Sequence, residues 1–207
     1  TGQLIIRYVA VKLNEFLNKE FGTDTDYVLA SDTDSVYLNL EAVVKNSSKD
    51  SSALVDDVDK YCERSIQPVI DSAFESIHSR FNTTSNILAM KREVIAEHGV
   101  WTAKKRYLLW VHDNEGVRYE TPKLKSVGLE TVRSSTPKYA REAIKNALEA
   151  FIKGDKQRFY DLLDDAEYEF SKRPFEDIAT PKTCNGLDVY GIQADGSFTT
   201  KTPIHVR

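Results

Sequence analysis

The sequence predicts an α+β fold, an antiparallel sheet packed against helices and followed by a helical segment. Three observations carry that expectation. Apolar residues recur at helical spacing near the start of the chain and again between 54 and 81; short β-rich runs punctuated by turn residues occupy 27–40 and 87–119; from Thr136 onward only helical periodicity returns. The 207 residues are 41% hydrophobic and 29% charged, a globular balance in a chain long enough to bury a core without disulfide or metal staples. No apolar run approaches the ~18 residues of a bilayer span. Residues 1–10 carry no basic leader with an apolar block and cleavage site, so neither secretion nor membrane insertion is expected.

The first element is a helix whose stripe is Leu4-Ile5, Tyr8-Val9, Leu13 and Phe16-Leu17, stopped by Gly22. It starts so abruptly that an upstream part, in this chain or another, is expected to continue it, with an apolar strip left facing that neighbour. Tyr27 to Ala30 and Val36 to Leu40 are rich in β-formers and flank Ser31-Asp32-Thr33-Asp34-Ser35, which predicts a hairpin with an acidic tip. A polar loop over 45–52 precedes a helix from about 54 to 81, with Ser51 or Ser52 as its cap and Pro68 as a kink or division. Ile87 to Ala96 and Trp101 to Val111 read as two further strands. Asp113 to Gly116 reads as a turn that returns Val117 to Tyr119 antiparallel. Helices would then cover one face of the sheet and leave the other open. Thr136-Pro137 predicts a helix start, with Thr136 as cap and Pro137 as first residue, and the stripes up to Ile152 and from Phe159 to Phe170 predict a helical hairpin around Gly154. Pro174, Pro181 and Pro203 with Gly186, Gly191 and Gly196 mark an irregular end.

Cys62 and Cys184 have no C-x-x-C neighbour and, with four histidines, form no zinc pattern, which fits a reducing compartment. The net charge of −4 gives no overall basic signature. It is unevenly placed, however: residues 91–145 carry twelve Lys and Arg against seven acids, a local +5 opposed by −9 in the remainder. A mixed solvated face and a polyanion-binding face both fit that pattern.

Asp32 and Asp34 stand two positions apart at the hairpin tip. Paired carboxylates repel unless a positive group lies between them. A divalent cation with oxygen ligands, Mg²⁺ or Mn²⁺, satisfies such a pair; so does the ordinary habit of Asp in turns, bonding to local amides. Glu93, inside an apolar β-like run, fits either an edge-strand charge or a further acid beside that centre. Lys104, Lys105, Arg106 and Tyr107 follow Trp101 as a basic and aromatic run, suited to phosphate neutralisation and to minor-groove contact, or to simple solvation.

Taken in order, Asp32-Thr33-Asp34-Ser35, Lys104-Lys105-Arg106-Tyr107, Pro122-Lys123-Leu124-Lys125, Gly128-Leu129-Glu130-Thr131 and Ser134 to Lys138 resemble the family B replicative DNA polymerases, above all those of T4-like bacteriophages. The resemblance covers nearly the whole chain, from Val11 to Glu15 through to Pro203 to Arg207. It implies the C-terminal part of a polymerase palm over 1–133 and the beginning of a thumb, partial or reduced, over 134–207. It implies that Asp34 is the metal-binding aspartate, that Asp32 supports it and ligates less directly, and that Glu93 is an acid at the same centre. Lys104, Lys105, Arg106 and Tyr107 would face the primer-template duplex, with Lys123 and Lys125 near it. This sequence departs from the family's pattern in placing Ala30-Ser31 before the acidic tip, where an aromatic residue and a small one are usual, and in its short loop after Glu93, with only Ile95 to Val100 before Trp101, where close phage relatives carry a longer glycine-rich insertion.

The implied activity is DNA-directed DNA polymerisation, a nucleotidyl transfer from a dNTP to a primer 3′ end with two Mg²⁺ ions, or Mn²⁺ in their place. The second palm aspartate, the fingers and the exonuclease would have to come from an upstream region or a separate N-terminal subunit, so this chain alone is expected to be inactive. A phage product acting in the bacterial cytoplasm, with no membrane partner, is the implied setting. A catalytically inert DNA-binding or structural module derived from a polymerase is the alternative. An unrelated Mg²⁺-dependent phosphotransferase would need a phosphate loop, and neither G-x-x-x-x-G-K-[ST] nor G-x-G-x-x-G is present.

Overall fold

The computed structural model describes residues 2–45, 50–182 and 195–198, and the chain divides into two compact units, residues 1–125 and 126–207. In the first unit, α1 (Gly2–Phe21) buries Ile6, Val9, Leu13 and Leu17, the stripe that its spacing dictates. Gly22, at φ 65°, takes the left-handed turn that ends it. Two asparagines on its polar side fix the segment leading to the first strand: Asn14 Oδ1 accepts from the Tyr27 amide at 2.7 Å, and Asn18 Oδ1 from the Thr25 amide at 2.7 Å. Leu4 and Val11 stay exposed while Val9 is fully buried, so the apolar strip of this helix is covered only in part.

The hairpin β1 (Val28–Asp32) and β2 (Ser35–Leu38) is antiparallel, with Asp32 opposite Ser35 and Ala30 opposite Tyr37. Its turn is only Thr33-Asp34, tighter than the five-residue tip expected from the sequence. A short helix α2 (Glu41–Val44) comes next. The helix α3 (Ser51–Tyr61) is capped by Asp50, which accepts from the Ala53 amide, rather than by Ser51 or Ser52. It runs through a π-helical turn, Cys62–Ile66, into α4 (Gln67–Phe81). The division expected at Pro68 is thus present: the wide turn lies just before it and Pro68 sits in the first turn of α4, where its ring would otherwise crowd the preceding carbonyls. Ile66, Ile70, Ala73 and Phe74 from this long helix close on Val9, Leu13, Leu17 and Tyr27 to form the core.

The remaining strands, β3 (Val94–Ala103), β4 (Arg106–Asn114) and β5 (Val117–Val127), form a separate sheet in that order. Three expectations are corrected here. The strand expected over Ile87 to Ala96 does not form; β3 begins where that run was to end, because residues 84–93 are held by side chains instead of a strand partner, Gln67 Nε2 donating to the Met90 carbonyl at 2.9 Å. Glu93 thus sits just before the strand. Lys104 and Lys105 are not strand residues on alternating faces: they are the two-residue turn that joins β3 to β4, with Ala103 opposite Arg106 and Lys105 at φ 60°. Finally, β4 has no open face, since every residue from Tyr107 to Val111 is buried. The turn expected at 113–116 forms, with Glu115 and Gly116 both at positive φ.

In the second unit, a 3₁₀ turn (Glu130–Val132) leads to the helical hairpin α5 (Lys138–Ile152) and α6 (Lys156–Phe170). Pro137 itself occupies the cap position of α5 and Thr136 makes no capping bond, one residue off the expected start. Gly154, at φ 76°, turns the chain, and Asp155 caps α6. The pair is joined by Tyr139 Oη, which donates to the Ala166 carbonyl at 3.2 Å, and by the Phe151 and Phe159 rings at 5.8 Å. Pro174 starts a four-residue helix α7 (Phe175–Ile178). Cys184, Gly186, Gly191, Pro203 and the segment Pro203 to Arg207 lie outside the described residues. Among the described residues no helix is long and apolar enough to cross a membrane.

Candidate functional site

Two tight turns meet in the first unit. The first is Thr33-Asp34, between β1 and β2, with the β-branched Thr33 at φ 50°, a conformation such residues rarely adopt. The second is Lys104-Lys105. Rings beneath them join the two hairpins: Tyr37 on β2 lies edge-on to Trp101 on β3 at 5.3 Å and to Tyr107 on β4 at 5.4 Å, and the Tyr37 hydroxyl donates to that of Tyr107 at 2.7 Å. Burial and this hydrogen bond hold the Tyr107 hydroxyl protonated well above the usual phenol range. Gly99 makes the ring packing possible, since a Cβ there would come within 2.7 Å of the Trp101 ring and 2.9 Å of Leu109.

At the turns themselves, Lys105 Nζ lies 2.8 Å from Asp32 Oδ1 and donates to Thr33 Oγ1 at 3.2 Å. The hydrogen bond from Lys105 holds the Asp32 carboxyl below the ordinary carboxylate value, partial burial works against it, and the Thr33 hydroxyl adds to it. Asp34 is exposed and makes no such ion pair; it lines an open cleft of about 650 Å³ together with Glu93, Trp101, Tyr107 and Lys125. Glu93 is exposed on that cleft, its carbonyl held by the Glu115 amide. Lys123 rests over the Tyr119 ring at 4.2 Å, and Lys125 donates to Asn114 Oδ1 at 3.0 Å.

The structure thus brings Asp34 and Glu93 to one cleft and ties Asp32 to a lysine. Carboxylate oxygens are the donors a hard divalent ion takes, so the residue types fit Mg²⁺ or Mn²⁺. Their number does not complete a site: among the described residues no three acidic, histidine or cysteine groups gather to hold a metal ion.

The sequence reading missed the ion network behind Glu93. Asp113, with no exposed surface, pairs with Arg92, accepts from the Gly116 amide at 3.0 Å, and faces Arg118 Nε at 3.2 Å. Arg92 also reaches Asp59 at 2.7 Å, and Arg118 reaches Asp56 at 2.9 Å. Burial alone would lower the Arg92 guanidinium, but the bonds and charges of Asp113 and Asp59 outweigh it and raise it further. Arg92 Nη1 also donates to the Glu93 carbonyl at 3.3 Å, so the network anchors the backbone that presents Glu93. An aspartate two residues after the apolar run Leu108 to Val111 was the available signal, and it reads equally well as a turn residue.

A mixed α+β frame with antiparallel hairpins, an acidic turn and a basic turn side by side is the class that the fold and site define. No protein-family model matches the chain. Along all of its length, however, it is 33% identical to the DNA-directed DNA polymerase of Enterobacteria phage T4 and, equally, 33% identical to that of Escherichia phage RB69. It is a homologue of these two phage polymerases and spans about a quarter, 24%, of the length of each.

Proposed function

We propose that the chain is part of a DNA-directed DNA polymerase, with 1–133 as the C-terminal part of its palm and 134–207 as the beginning of its thumb. The observation that supports this best is the pair of opposed turns, Thr33-Asp34 and Lys104-Lys105, within a chain similar along its whole length to phage DNA polymerases. Asp34 and Glu93 present oxygen donors on the cleft, and Asp32 orients the turn through Lys105. Lys104, Lys105 and Arg106 are placed to neutralise phosphates of a primer-template duplex, while Tyr107 braces their turn from below. Lys123 and Lys125 extend the basic strip along β5. Two divalent ions, Mg²⁺ or Mn²⁺, would supply activation of the primer 3′-hydroxyl and stabilisation of the pyrophosphate charge.

In this reading the dNTP-binding fingers, the second palm aspartate and the exonuclease belong to a polymerase region outside these residues, upstream or on a separate subunit, and the product acts in the host cytoplasm. An open, wet cleft weakens every electrostatic attraction that a closed site would use. The chain alone should therefore not extend a labelled primer in Mg²⁺, and addition of the upstream polymerase region should restore extension. Metal-dependent extension by the lone chain would overturn the division of labour proposed here.

A further inference from the structure

Lys105 bonds to the acidic turn instead of projecting freely. Its Nζ meets Asp32 at 2.8 Å and Thr33 at 3.2 Å, while its own backbone sits at φ 60° and its side chain remains 60% exposed. Neighbouring Lys104 has no comparable bond to the turn among the described residues. The ring cluster of Tyr37, Trp101 and Tyr107 holds the two hairpins against each other, which keeps the basic turn within reach of the acidic one.

We propose that Lys105 is an internal counter-ion of the acidic turn, which occupies Asp32 and opposes divalent-cation binding there until a DNA backbone draws the lysine away. The idea rests on the polymerase reading above and deepens it, for it links arrival of the duplex to readiness of the carboxylates. A lysine drawn toward a phosphate gives up part of its attraction to Asp32, because one unit charge is then shared between two anions and the distance to the carboxylate grows. A cation approaching the turn meets the lysine charge at a few ångströms, a repulsion that water weakens without removing. Thr33, at φ 50°, accepts a second bond from the same ammonium.

The test monitors Mn²⁺ binding to the 207-residue chain through paramagnetic broadening of the Thr33 and Asp34 amide signals. Lys105→Ala should tighten Mn²⁺ binding about fivefold to tenfold, Lys104→Ala should do markedly less, and Lys105→Ala should gain little in an Asp32→Asn background. Duplex DNA at low salt and fixed free Mn²⁺ should increase the broadening in the wild-type chain and not in Lys105→Ala. Equal gains from Lys104→Ala and Lys105→Ala, or an undiminished gain in the Asp32→Asn background, would overturn the proposal by reducing it to general surface charge. So would an unchanged affinity in a folded Lys105→Ala chain, with folding checked by the dispersion of its amide spectrum. Primer extension by the reassembled enzyme separates the two claims: extension without the Mn²⁺ effect removes the counter-ion and keeps the polymerase, while the Mn²⁺ effect without extension does the reverse.

Discussion

Asp113 is the buried charge on which the cleft's rear wall depends. Its carboxylate has two guanidinium neighbours, and removing it leaves Arg92 beside Glu93 without its most buried counter-charge. Breaking a buried pair from one side typically costs roughly 3–5 kcal/mol, so Asp113→Ala should lower the urea midpoint by about 1 M or more, while Asp56→Ala, at the exposed end of the network, should change the stability by ~0.5 kcal/mol or less. Asp32 behaves differently because it is only half-buried, at the tip of a hairpin. Its carboxyl is held below the ordinary value of 3.8 chiefly by the Lys105 hydrogen bond. A depressed carboxyl stabilises the fold above the unfolded value and loses that contribution as pH falls through the lower, folded one. The Asp32 carboxyl carbon should accordingly titrate below 3.8 by NMR and return toward it in Lys105→Ala; an unchanged midpoint would contradict the ion pair.

Among the elements, the ring cluster under the two turns makes the sharpest demand on sequence. A methyl group at Gly99 would press on Trp101, which is already packed against Tyr37 and Tyr107, and overpacking of this kind costs about 1–3 kcal/mol. Gly99→Ala should thus lower the thermal midpoint and loosen the aromatic near-UV signal, whereas Gly154→Ala, with open space around it, should strain only its own backbone at φ 76°. Much of this element level was legible in the sequence. The α1 stripe, the acidic hairpin and the helical hairpin around Gly154 all come from spacing and turn chemistry, because each is a local pattern. The features that sequence did not disclose were set by contacts distant along the chain. Lys104-Lys105 lacks the glycine or asparagine that advertises a two-residue turn, so only the strand pairing of Ala103 with Arg106 reveals it. Residues 84–93 look β-like but find no strand partner, and the Asp113 network joins residues from 56 to 118.

At the scale of the molecule, a chain with net charge −4 sets a short basic turn beside its acidic turn. Duplex binding by the chain alone should be weak and fall steeply with salt, since only a few phosphates can be neutralised; anisotropy at two salt concentrations reads that slope, and a salt-independent affinity would count against the basic face. The central claim is that Asp34 carries metal-dependent chemistry in an enzyme completed by a region outside this chain. Its most direct test is extension of a labelled primer by the chain mixed with the upstream polymerase region in Mg²⁺, comparing wild type, Asp34→Asn and Asp32→Asn, with association of the two parts measured separately. Asp34→Asn should lose about three orders of magnitude or more, Asp32→Asn should lose less, and association should stay intact in both; full extension by the Asp34→Asn mixture would contradict the claim.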